Sequence, residues 1–178
     1  MAAPADVAAP VSAQVVGNAF VQQYYHILHQ SPGLVHRFYH KDSKLGRPEE
    51  DGTLSLTTTR DEINAKILSL NYQDFKAEIK TVDAQESLED GVNVLVTGHL
   101  TGKDNLVHDF TQSFFLAPQN KGYFVLNDMF RYMDKPKHTE STPDQSADVA
   151  KEPQPEKIEE NGEVQVPVVD GLKNRICK

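Results

Sequence analysis

The sequence predicts an α+β domain in which N-terminal helices pack on one face of a curved antiparallel sheet, and three observations predict it. Apolar residues recur at helical spacing from Val16 to Leu28 and again from Ile63 to Leu70; from Phe75 to Tyr132 the period drops to two; and beyond Asp134 no Phe, Tyr or Trp occurs. A chain of 178 residues is long enough for one domain with a real core plus tails, and not for two comfortable domains.

The first helix organises the rest. Ser12 can cap its start, and Ser31-Pro32-Gly33 ends it, because the residue before a proline avoids the α region and Gly permits the turn. At about 100° per residue, Gly17, Val21, Tyr24 and Leu28 centre one face, with Val16, Phe20 and Ile27 on one flank and Tyr25 on the other. This arc of roughly 180° is wider than one flat contact requires. The centre is expected to pack on the body of the domain. The Val16/Phe20 flank, with Gln23 beside it, would border a second short helix, Leu34-Val35-His36-Arg37-Phe38-Tyr39. From the helix alone, plain core is the first reading of both flanks and a groove the second.

A polar stretch follows, with turn signals at Gly46, Pro48 and Gly52, and a short strand or hairpin between Thr53 and Thr58. Thr59 caps a third helix, Glu62 stands at the capping-box position, and Ile63, Ile67, Leu68 and Leu70 supply its buried stripe. Alternation then marks strands around Phe75-Ala77-Ile79, Val92-Val94-Val96, Phe110 to Leu116, and Tyr123 to Tyr132, the last entered through a tight turn at Asn120-Lys121-Gly122. The face of the sheet away from the helices carries Leu95, Phe115 and Leu126 among polar residues, which suits a homodimer interface or a solvated face with incidental apolar residues.

These readings divide the chain into a disordered N-terminus (1–14), a folded domain (15–134) and a disordered acidic tail (135–178). The net charge of -8 and pI near 5.3 argue against a nucleic-acid surface formed by overall charge. Cys177 is the single cysteine and cannot form an intrachain disulfide, as suits a reducing cytosol or nucleus. The Ala- and Pro-rich start has no Lys or Arg, so it resembles neither a secretory signal nor a transit peptide, and no apolar run approaches the roughly 20 residues that cross a bilayer. In the tail, Thr142-Pro143 is a candidate phosphorylation site and Lys173 to Lys178 is locally basic.

Little of the sequence carries reaction chemistry. It has no Gly-rich phosphate loop, no H-E-x-x-H and no cysteine pair, and it predicts no cofactor. His26, His29, His36 and His40 read as polar surface rather than as a metal site. Asp128 with Tyr24 could serve as base and hydrogen-bond donor in a pocket enzyme, but Arg131 nearby can pair with a carboxylate and no second catalytic partner stands out, so no enzyme is predicted.

Five blocks, in order, carry a resemblance: Val16-Gly17-Asn18-Ala19-Phe20-Val21-Gln22-Gln23-Tyr24-Tyr25, Val35-His36-Arg37-Phe38-Tyr39, Asp83-Ala84-Gln85 with Leu88-Glu89-Asp90-Gly91-Val92, Gln112-Ser113-Phe114-Phe115-Leu116-Ala117-Pro118, and Phe124-Val125-Leu126-Asn127-Asp128-Met129-Phe130-Arg131-Tyr132. Together they resemble the N-terminal domain of the Ras-GTPase-activating-protein-binding proteins, which has the nuclear transport factor 2-like fold.

The resemblance implies a cone of helices on a curved sheet, a homodimer through the sheet, and a hydrophobic groove for short Phe- and Gly-containing peptides of FGDF or FxFG type. It further implies a role in assembling cytoplasmic stress granules, with the nucleus also open to the chain. The family's groove residues fall on Val16, Phe20, Gln23, Arg37, Phe38 and Tyr123, where animal members have Phe at the last position. This moves the groove ahead of plain core as the reading of the helix flank. Full-length members continue to an RNA-recognition motif and an Arg-Gly-rich end. Neither pattern follows Asp134, so the chain resembles a short or truncated form whose contact with RNA is indirect or runs through domains absent from this chain. The alternative function is a nucleocytoplasmic carrier that binds nucleoporin repeats and a small GTPase.

Overall fold

The computed structural model describes residues 9–133 and the backbone of 137–138. They belong to the first of two compact units, Met1–Ser141; the second, Thr142–Lys178, lies outside the described residues. So do the tail apart from the backbone of 137–138, Thr142-Pro143, the basic 173–178 end, Cys177 and residues 1–8 of the N-terminus expected to be disordered over 1–14, whereas Ala13 and Gln14 of that stretch are helical.

Helix α1 spans Ala13–Gln30. Its N-cap Ser12 accepts a hydrogen bond from the Val15 N–H, and the Ser31 N–H closes the other end on the Ile27 carbonyl at 2.8 Å. Ala13, Gly17, Val21, Tyr24, Tyr25 and Leu28 are buried, while Val16, Phe20 and Ile27 are only partly so. The centre of the apolar arc therefore meets the sheet and its flank reaches the domain surface. Gln14 ties the first turn to β3 (Lys76–Glu86), donating to the Val82 carbonyl at 2.9 Å and accepting from the Ala84 N–H at 3.1 Å.

After α1 comes a 3-10 segment, Pro32–Phe38, where the sequence suggests a short helix. It leads directly into β1 (Tyr39–Pro48) and β2 (Leu54–Thr58), and then α2 (Arg60–Ser69). Thr59 caps α2 as its position predicts, accepting from the Glu62 N–H. Its buried side narrows to Ile63 and Ile67, because Leu68, expected in the stripe, is 45% exposed.

The long strand β1 is missed by the sequence reading, which takes Gly46 and Pro48 for turns. Its inward positions are Tyr39, Ser43, Leu45 and Arg47, so polar side chains occupy places where alternation looks for apolar ones. Ser43 is satisfied in place, donating to the Val125 carbonyl and accepting from the His40 N–H.

The remaining strands are β4 (Val92–Thr101), β5 (Leu106–Gln119), β6 (Gly122–Tyr132) and a two-residue β7 (Lys137–His138) on β5. The main path of the sheet runs β2-β1-β6-β5-β4-β3. It is mixed rather than wholly antiparallel, since β1 lies parallel to β6. Parallel pairing needs a long crossover, and the chain from β1 to β6, through β2, α2 and β3 to β5, supplies one.

Inside the sheet, Val92, Val94, Val96, Leu100, Phe110, Phe114, Leu116, Val125 and Phe130 form the core with α1. In β3 a bulge between Ile79 and Thr81 shifts the alternation by one residue, so that Ala77 and Ile79 before it and Val82 and Ala84 after it all pair with the inward row Leu100, Gly98, Val96 and Val94. Gly98 faces this bulge, where a Cβ would fall 2.3 Å from the Glu78 carbonyl oxygen. Only glycine lets the two strands approach so closely.

Candidate functional site

Along one side of α1, Val15, Val16, Ala19, Phe20 and Gln23 recur at helical spacing and form one wall of an open groove of about 320 Å³. Phe38, at the end of the 3-10 segment, stands opposite, with its ring edge-on to Phe20 at a centroid distance of 5.8 Å. Leu116 of β5, fully buried, forms the floor. Tyr123 lies at the rim, one residue past the Gly122 turn (φ +95°), and Val11 borders the groove from the segment before α1.

Of the residues that the sequence singles out, Val16, Phe20, Gln23, Phe38 and Tyr123 are thus brought together. Arg37 is exposed and does not line the groove. Sequence reasoning misses Val15, Ala19, Leu116 and Val11. Val15 and Ala19 were within reach of it, because they flank Val16 and Phe20 on the same helical side; Val11 precedes the first element and gives no periodic signal.

The groove is apolar, with Gln23 its main polar side chain. Its walls are held from behind, because Phe20 packs on Tyr24 and Phe114 with ring centroids 5.4 and 4.9 Å apart, and Phe38 lies 5.5 Å from Tyr24. Edge-on and tilted rings at these distances are favourable and set the side-chain directions.

Behind the rings is a buried polar cluster that the sequence reads only in part. Tyr24 and Asp128 do meet, at 3.3 Å. The partner of Asp128, however, is Arg47, at 2.7 and 2.9 Å, and not Arg131, which donates to the Gly52 carbonyl instead. Asp128 also accepts from Tyr39 at 2.6 Å and Gln112 at 2.8 Å. Burial pushes the Tyr24 and Tyr39 phenols well above their ordinary range, and the negative charge of Asp128 adds to it. A carboxylate with both oxygens engaged by a guanidinium, and with no exposure, is positioned to hold a core together rather than to take a proton from a ligand.

The histidines do not converge. His36 bonds the Gly33 carbonyl, His40 lies beside Asp42 and Phe124, and His26 and His29 are exposed on α1. Among the described residues, no three His, Cys, Asp or Glu side chains are grouped to hold a metal, and no helix is long and apolar enough to cross a membrane.

Residues 16–132 match the nuclear transport factor 2 (NTF2) domain. The chain is 66% identical over 123 residues to a nuclear transport factor 2 of Arabidopsis thaliana, a match covering 69% of this chain and 27% of that protein. It is 41% identical over 143 residues to a putative G3BP-like protein of Schizosaccharomyces pombe, covering 78% of this chain and 33% of the other. The solved nuclear transport factor 2 of Cryptosporidium parvum is 31% identical and superposes with a TM-score of 0.60, covering 70% of this chain and 98% of that one. The chain therefore spans only about a quarter to a third of the two longer relatives.

Proposed function

The chain belongs to the nuclear transport factor 2 domain family, and from that premise we propose that it is a dimeric protein-interaction module whose groove captures short Phe-containing segments of partner proteins. The observation that carries this is the convergence of Val16, Phe20, Gln23, Phe38 and Tyr123 on one open apolar slot of a size to take a phenyl ring. Burying a partner Phe there contributes roughly 2 to 3 kcal/mol and Gln23 adds backbone hydrogen bonding, well short of the roughly 8 kcal/mol of micromolar binding, so a single motif binds weakly once the ordering of the peptide is set against it. Two grooves per dimer raise this for multivalent partners.

Carriage between nucleus and cytoplasm is the biological setting that the names of the Arabidopsis and Cryptosporidium relatives favour, with nucleoporin Phe-Gly repeats and a small GTPase as partners. A second setting, scaffolding of ribonucleoprotein or stress granules through FGDF-type motifs, has a specific observation in its favour. The 66% identical relative, like the G3BP-like protein, is several times longer than the matched domain, whereas the Cryptosporidium factor consists almost wholly of it. In both settings the chain acts by binding and not by catalysis, and Asp128 serves the core.

Calorimetry with FxFG and FGDF peptides, alongside capture assays with the GTPase, tests the reading. Binding of FxFG together with the GTPase supports the carrier; preference for FGDF without GTPase supports the scaffold. Loss of neither peptide on Phe38→Ala, in a chain that stays folded, would refute the groove.

A further inference from the structure

The groove does not end at Val16 and Tyr123. Both, with Val11, also line a second basin of about 660 Å³ whose far wall is Glu86, Ser87, Asp90 and Gly91. Glu86 and Asp90 are exposed, and neither carboxylate has an ion-pair partner among the described residues. No Lys or Arg among the described residues lines either cavity. An apolar slot thus opens into a basin of one sign of charge.

The wall is built rather than loose. The Ser87 N–H bonds the Gly91 carbonyl at 2.8 Å, and the Gly91 N–H bonds the Leu88 carbonyl at 3.1 Å. Between them Glu89 (φ +54°) and Asp90 (φ +61°) both occupy the left-handed region, which costs non-glycine residues energy and persists only where the surroundings over-determine it. At Gly91 a Cβ would fall 2.3 Å from the Phe115 ring, so this turn sits tight on the sheet with Asp90 fixed against the basin.

An extended chain advances about 3.3 Å per residue, and the step along α1 from Val16 to Ala13, which also lines the basin, is about 5 Å. A segment with its Phe in the slot therefore lays its next two or three residues along Glu86 and Asp90. We infer that the Glu86–Gly91 turn is the specificity-determining half of the docking surface, and that it selects partner segments with a Lys or Arg within about three residues of the Phe. This rests on the proposed groove and adds the charge of its ligand.

The test is calorimetry on the full chain with three peptides sharing one Phe-Gly core, flanked by Gln only, by Lys on the N-terminal side, or by Lys on the C-terminal side. One Lys peptide binds about three- to tenfold tighter than the Gln peptide at about 50 mM salt, and the gap closes near 0.5 M. It also closes in the Glu86→Gln/Asp90→Asn double variant, which binds the Gln peptide as before; Asn suits the left-handed position of Asp90. If the Gln peptide binds and neither Lys peptide gains, or the gain survives the double variant, the acidic selection is wrong while the groove stands. If no peptide binds, the groove itself fails and takes the inference with it. If replacing Lys173, Arg175 and Lys178 by Gln in the full chain tightens the Lys peptide but not the Gln peptide, the basin is occupied by the chain's own end, and a partner segment as its occupant is overturned.

Discussion

Arg47 meets Asp128 through both carboxylate oxygens, Nη1 to Oδ1 at 2.7 Å and Nη2 to Oδ2 at 2.9 Å, where neither side chain is more than 1% exposed. The rest of the guanidinium is also satisfied, by the Tyr72 hydroxyl and the Gly46 carbonyl. Such a pair adds little over an apolar pair of the same shape, but breaking it strands a charge in the core. Arg47→Met is therefore expected to cost about 3 to 5 kcal/mol in denaturant unfolding, and Arg47→Met/Asp128→Leu less than the sum of the two single changes. Strict additivity would show that the two residues do not act as a unit.

Alkaline pH tests the same cluster. Burial raises the pKa of the Tyr24, Tyr25 and Tyr39 phenols above the usual 10, with Asp128 adding to it for Tyr24 and Tyr39. The folded state thus holds these protons more tightly than the unfolded chain does. The stability this provides is intact below pH 10 and is lost as pH rises above it toward the raised pKa of the folded state, each phenol steepening the loss. Unfolding is expected as pH rises above 10, with the phenolate absorbance of these tyrosines appearing together with the loss of circular dichroism. Titration of all the tyrosines in a chain that stays folded would contradict it.

Most of the fold was legible because its apolar residues keep the period of their element. Ser12, Thr59 and the turn at Gly122 announced their elements by residue type. The failures share a cause. In β1, Ser43 and Arg47 are buried polar residues whose partners, the Val125 carbonyl and Asp128, lie some 80 residues away in sequence. A long-range pair leaves no local period, so the strand, its parallel pairing with β6 and the partner of Asp128 escape the sequence together. The groove followed the same rule: the helix flank was visible from Val16 and Phe20, whereas its closure by Phe38 and Tyr123 came from the family resemblance and not from any spacing.

The outer face of the sheet sets up a third prediction. Register places Leu95, Ser113, Met129, Gly46 and Leu56 in one row across β4, β5, β6, β1 and β2, with Leu95 47%, Met129 51% and Leu56 66% exposed. Met129 and Leu56 join the Leu95 expected from sequence, whereas Leu126 falls at an irregularity between β5 and β6. If this row is the proposed dimer face, sedimentation at micromolar concentration gives about twice the monomer mass, and Leu95→Asp/Met129→Asp gives a folded monomer. An unaltered chain that stays monomeric at every concentration would rule the dimer out.

The groove offers a sharper separation of binding from folding than its aromatic residues allow. Phe20 contacts Tyr24, Phe38 and Phe114, so Phe20→Ala removes core packing as well as the wall of the slot, and a cost of about 3 kcal/mol is expected whether or not a peptide ever binds. Val15 lines the same slot yet is 56% exposed. A surface change there shifts stability by no more than about 0.5 kcal/mol. Val15→Glu puts a charge where a partner's Phe is to lie, and burying it without a counter-charge opposes binding. The expected result is a thermal melt unchanged within about 2 °C and an affinity for the Gln-flanked Phe-Gly peptide weakened at least about tenfold. Peptide binding that survives Val15→Glu at full strength would place the Phe elsewhere on the domain and leave this slot as ordinary packing at the edge of the core.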